Sequence, residues 1–110
     1  AYHNEDDSAT SLSYSASSDQ AQGTSYQTLM LDLDNDADSA GAGELHLFNP
    51  SSTTYVKHFY AETQYSYDAS LTYNNFVAGY INTTTAIDDV QFKMASGNID
   101  AGTIKMWGVK

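Results

Sequence analysis

Thr54-Tyr55-Val56-Lys57-His58-Phe59-Tyr60-Ala61-Glu62-Thr63-Gln64 is the longest strand-like run in the chain. Successive side chains of an extended backbone point to opposite faces. Tyr55, Lys57, Phe59 and Ala61 therefore share one face, and Val56, His58 and Tyr60 share the other. Aromatic and β-branched residues dominate the run, as a pleated, half-buried surface favours. Just before it, Asn49-Pro50-Ser51-Ser52 reads as a turn, because proline fixes its own φ and pushes Asn49 out of the right-handed helical region.

Working outward from this run, the same alternation recurs in shorter pieces. Leu12, Tyr14 and Ala16 alternate with serines. In residues 26–33, Leu29, Leu31 and Leu33 oppose Tyr26, Thr28, Met30 and Asp32. Residues 44–48 place Leu45 and Leu47 opposite His46 and Phe48. Residues 76–81 form a further short run. Val90, Phe92 and Met94 alternate with Asp89, Gln91 and Lys93, and Ile104 and Met106 with Thr103, Lys105 and Trp107. Ser, Asn, Gly and Asp clusters separate them, with loops expected at 15–25 and 34–43. Seven to eight short strands at this spacing predict an all-β protein, an antiparallel β-sandwich of jelly-roll-like form. The missing cysteine and the lone tryptophan near the end argue against a true immunoglobulin domain.

The 110 residues suit one β-sandwich domain, 1–110, with 1–10 free to act as a flexible arm. With no cysteine there is no disulfide framework, zinc–thiolate site or thiol nucleophile. Fourteen acids stand against four lysines, for a net charge of −10. Nine of those acids and no base precede Pro50, whereas five acids and all four lysines follow it. Phosphate backbones are gripped by Lys and Arg, so no nucleic-acid partner is expected, and the sign also disfavours an anionic membrane surface. No apolar run approaches the roughly 20 residues of a membrane helix. Residues 1–8 lack the basic start and apolar stretch of a signal peptide.

Candidate chemistry is sparse. Asp32, Asp34, Asp36 and Asp38 alternate as calcium-loop carboxylates do, but Ala37 and Gly43 stand where an EF-hand needs Gly and a bidentate Glu. A different calcium loop and a plain solvated connection are the two readings left. His3, His46 and His58 carry no metal-ligand spacing. No nucleophile elbow or phosphate loop occurs, and Asp88-Asp89 with Glu62 are unremarkable in so acidic a chain, so no enzyme and no catalytic residue are expected. Tyr55, Tyr60, Tyr65, Tyr67, Tyr73 and Tyr80 crowd the second half. Flat rings of this kind serve a sheet or subunit interface, or a glycan platform.

Two segments resemble a known family. One is Gly43-Glu44-Leu45-His46-Leu47-Phe48-Asn49-Pro50-Ser51-Ser52-Thr53-Thr54-Tyr55. The other runs from Ala86 through Ser96-Gly97-Asn98-Ile99 and Gly102-Thr103-Ile104-Lys105 to Lys110. Together they resemble the terminal sandwich domain of many tailed-phage virion proteins. That family shows a strand, an Asn-Pro-Ser-Ser-Thr-Thr-like turn, a long aromatic strand, and a Ser-Gly-Asn-Ile…Gly-Thr-Ile close. The resemblance covers residues 43–110, with Met106-Trp107-Gly108-Val109 where Leu-Tyr-Gly-Ile is usual.

The resemblance implies a non-enzymatic virion structural protein of a tailed bacteriophage, made in the host cytoplasm and carried on the particle surface. The expected role is capsid decoration (cement), because no coiled coil or shaft of a tail fibre is present. The expected partners are the major capsid protein or other virion proteins and further copies of the chain, in a homo-oligomer such as a trimer. The alternative is a tail-associated receptor- or carbohydrate-binding module with a glycan receptor, using the tyrosines and calcium at residues 32–38. Trp107, Tyr55, Tyr60, Phe48 and Phe59 are the interface candidates. Trp107, opposite Ile104 and Met106 on its strand, is expected to be at least half buried once assembled.

Overall fold

The computed structural model describes residues 1–67 and 70–109. The protein is all-β: the described residues form one antiparallel five-stranded sheet and a single 3-10 turn at Ala16–Ser18. Its strands are β1 (Tyr2–Asn4), β2 (Thr10–Ser11), β3 (Gly41–Leu47), β4 (Lys57–Tyr67) and β5 (Leu71–Ile81). They lie in the order β2-β1-β5-β4-β3. β4 and β5 pair along their full length, from Lys57 opposite Ile81 to Tyr67 opposite Leu71. β3 flanks β4 with Leu47 opposite Phe59 and Gly41 opposite Tyr65. Residues 1–10, read as an arm, supply β1, whose Tyr2 lies opposite Tyr73.

The register sorts the side chains into two faces. Lys57, Phe59, Ala61, Thr63 and Tyr65 of β4 line the inner face, and all of them except Phe59 are buried. That stripe is the core among the described residues. Two loop segments cross it, each fixed by polar groups of β4. Thr63 Oγ1 donates to the Leu29 carbonyl at 2.7 Å, Tyr65 Oη accepts from Leu31 N–H at 2.9 Å, and Asp34 N–H donates to the Ser66 carbonyl. At the other end, Lys57 Nζ donates to the carbonyls of Thr83 at 3.1 Å and Thr85 at 2.7 Å.

Strand approach is closest at Gly43. A Cβ there would lie 2.6 Å from the Glu62 carbonyl oxygen and 2.7 Å from the Thr63 methyl, so only glycine lets β3 sit against β4 as it does. Beyond β3 the chain turns as the proline demands. Asn49 takes φ 50°, and Ser52 N–H closes the turn on the Asn49 carbonyl at 3.1 Å.

Several expected strands are not formed. The runs at 12–16, 26–33, 90–94 and 103–107 lie outside the sheet, and β1 and β2 appear where none was expected. In place of the seven to eight strands of a sandwich, the described residues form five, in one sheet. The reason is physical: alternation marks a segment that can pair, but pairing needs a neighbour with free N–H and C=O groups. Residues 29–34 spend theirs on side chains and loop contacts across β4. Residues 103–109 pair with no strand among the described residues. Lys110, the last residue of the closing motif, lies outside the described residues.

Candidate functional site

The outer face of the sheet is the chain's most distinctive surface. Because β3, β4 and β5 are in register, their outward side chains stand in rows. Phe48, just past β3, donates its N–H to the His58 carbonyl and so stands in a row with His58 and Tyr80. The next row is His46 and Tyr60, and the third is Glu44, Glu62 and Phe76. His46 stacks on Tyr60 with ring centroids 4.6 Å apart and planes 16° from parallel. Phe48 lies 5.8 Å from Tyr60, and His58 lies 5.8 Å from Tyr80. No layer of the described residues covers these rings: Phe76 is 70 % exposed, and Tyr80 and Phe48 are also exposed.

Glu44 and Glu62 stand directly opposite one another beside this cluster. Like charges so placed repel by a few tenths of a kcal/mol up to about 1 kcal/mol. The contacts that offset this are Asn74 Nδ2 donating to Glu62 Oε1 at 3.1 Å and His46 Nε2 lying 3.3 Å from Glu44 Oε1. The face therefore offers flat rings beside two carboxylates, neither in an ion pair with a lysine among the described residues. Such a surface can stack on planar or apolar groups and attract cations.

The predicted residues scatter. Tyr60 and Phe48 belong to the ring cluster. Phe59 is on the inner face, its ring 3.1 Å from where a Cβ at Gly79 would be, so it packs the fold. Tyr55 is exposed in the turn before β4, and Trp107 is 75 % exposed in the closing segment. Of the six tyrosines, only Tyr60 and Tyr80 share the outer face. Tyr65, Tyr67 and Tyr73 line the inner one, where Tyr73 stacks on Tyr65 at 5.8 Å and on Tyr2 at 5.6 Å. Burial holds the Tyr65 phenol above its usual value, against the opposing hydrogen bonds from Leu31 and Asn75, and desolvation does the same for Tyr73.

Asp34, Asp36 and Asp38 line an open cavity of about 410 Å³ with His3, Glu5 and Thr72, while Asp32 lies away from it at φ 50°. Asp34 is engaged by its own loop, accepting from Asn35 N–H at 2.7 Å and Ser39 Oγ at 2.9 Å. Among the described residues no three His, Cys, Asp or Glu side chains converge as ligands. His3 pairs with Asp7 at 2.7 Å. His46 and His58 share the outer face, but Tyr60 stands opposite His46. That His46 and Phe48 share one face of their strand-like run, and His58 and Tyr60 one face of β4, was open to sequence reading from alternation alone. Buried Lys57 and the pairing of Tyr2 with Tyr73 were not, because neither is visible without the register.

Compared with known proteins, the chain matches no family model, no curated protein and no solved structure.

Proposed function

We propose that this protein is a non-enzymatic structural component of a tailed-phage particle, a capsid decoration protein that oligomerises on the particle surface against the major capsid protein. One observation carries the assembly reading. The chain exposes 8931 Å², against about 6,000 Å² for a compact monomer of this mass. Large apolar side chains are part of this surface: Leu12, Tyr55, Phe76, Ile104, Met106, Trp107 and Val109 all face solvent. Large exposed apolar surface marks a protein that is completed by partners. The phage assignment rests on the Asn49–Thr54 turn and the closing motif, and the two-layer sandwich on a second layer gained in assembly.

Labelling the protein on purified particles and imaging the label tests the reading. Label at regular lattice points over the head supports decoration; label confined to the tail tip overturns it.

The ring cluster of Phe48, His46 and Tyr60 favours a second reading, a receptor- or carbohydrate-binding module, since exposed stacked rings can receive the apolar faces of sugars. Glycan-array binding that is lost on Tyr60→Ala supports this reading, and loss on chelation would bring the Asp34–Asp38 loop into it as a calcium site. Binding to empty capsids, unaffected by chelator and without glycan binding, favours decoration.

A further inference from the structure

We propose that residues 103–109 of one copy add as a strand to the open edge of β3 in a second copy. The segment has the composition and alternation of a strand but no place in its own sheet. Met106 is 88 % and Val109 94 % exposed. Among the described residues no backbone hydrogen bond ties 103–109 to the sheet. Gly102 takes φ 152° just before it, a backbone state that glycine tolerates.

The acceptor is β3. It is the last strand of the sheet, bonded to β4 on one side only. Phe48 N–H bonds the His58 carbonyl and Ser66 N–H the Ala40 carbonyl. By the alternation of an antiparallel ladder, residues 42, 44 and 46 bond β4 as well, so Gly43, Leu45 and Leu47 turn their N–H and C=O groups to the open edge. An unpaired row of this kind is a template for another strand.

Both faces of the donated strand then find matching neighbours. With Ile104 and Met106 beside Leu45 and Leu47 on the inner face, Lys105 and Trp107 must stand on the outer face with Glu44, His46 and Phe48. Trp107 joins the ring cluster, and Lys105 supplies the cation that Glu44 and Glu62 lack. Either strand direction keeps this facing. Charge selects the same segment: residues 101–110 carry Lys105 and Lys110 and no acid, in a chain of net charge −10. Copies repel at long range, but salt at physiological strength screens beyond about 8 Å and leaves the contact intact. A reciprocal exchange closes a dimer and a head-to-tail one closes a ring; both contain this strand pair. The proposal is independent of the phage reading, because the exchange takes place between free copies in solution.

The test combines sedimentation velocity with emission from Trp107, the protein's one tryptophan. Oligomers are expected that dissociate on dilution, with Trp107 emission moving to the red as they do. E44K and K105E, both at exposed positions, are each expected to weaken association about tenfold. A mixture of the two variants is expected to restore it, because the edge of one then meets the arm of the other. Three results would each overturn the proposal: a monomer at every concentration (with Trp107 buried if the arm closes on its own edge), an oligomer with solvent-exposed Trp107, or single variants that associate as the parent does.

Discussion

Lys57 is fully buried, and its ammonium donates to two main-chain carbonyls, with no carboxylate partner among the described residues. It works as a clamp, holding residues 83–85 over the end of β4. Lys57→Ala should cost about 2–4 kcal/mol, from the cavity and from two carbonyls left without a donor. Lys57→Met keeps the packed stem and should cost less. Amide exchange at Ile87, whose N–H bonds the Pro50 carbonyl, should speed up in both; protection unchanged in both would mean the clamp holds nothing. Tyr65 is the second such residue, its phenol oxygen accepting from Leu31 N–H and Asn75 Nδ2. Tyr65→Phe orphans both donors and should lower the urea midpoint by the equivalent of about 1–3 kcal/mol. The same residue sets an alkaline limit. Burial raises the Tyr65 and Tyr73 phenols above 10.0 in the folded chain, so the unfolded chain loses these protons first. Their contribution is therefore whole below about pH 10 and lost as pH rises through the raised folded values. Stability should fall above pH 10, with a shallower fall in Tyr65→Phe.

At the scale of elements, β4 decides the architecture because β5 pairs with all of it on one side and β3 with residues 59–65 on the other. Its inner face could be read from alternation: Lys57, Phe59 and Ala61 do share a side, as do Leu45 and Leu47 on β3. The length of β5 could not, since Leu71, Tyr73 and Asn75 gain their strand conformation from Tyr67, Tyr65 and Thr63 opposite. Nor could the fate of 26–33 and 103–107, whose alternation matches that of true strands. The β3–β4 contact depends on Gly43. Gly43→Ala should push the strands apart and destabilise the fold by about 1–3 kcal/mol, seen as a lowered Tm. An unchanged Tm would show that the edge strand moves freely, and would weaken β3 as a docking edge.

The whole molecule extends 50 Å along its longest axis with a radius of gyration of 15.7 Å, against about 13 Å for a compact chain of this length. Shape and exposed apolar area are both those of an open chain rather than a compact monomer, and both support the proposed assembly. Trp107 reports on this directly: iodide should quench its emission freely in dilute protein and less than half as well in assembled particles. Equal quenching in both states would remove Trp107 from any interface. The sequence by itself determined what is local. Strand periodicity, the Asn49-Pro50 turn, the acidic first half and the absence of cysteine follow from each residue's own geometry and charge. The tertiary structure alone decided which alternating segments pair, which tyrosines share a face, and that a lysine is buried while a tryptophan is not. Those outcomes depend on which free edge and which covering loop each segment meets, and no stretch of sequence carries that information alone.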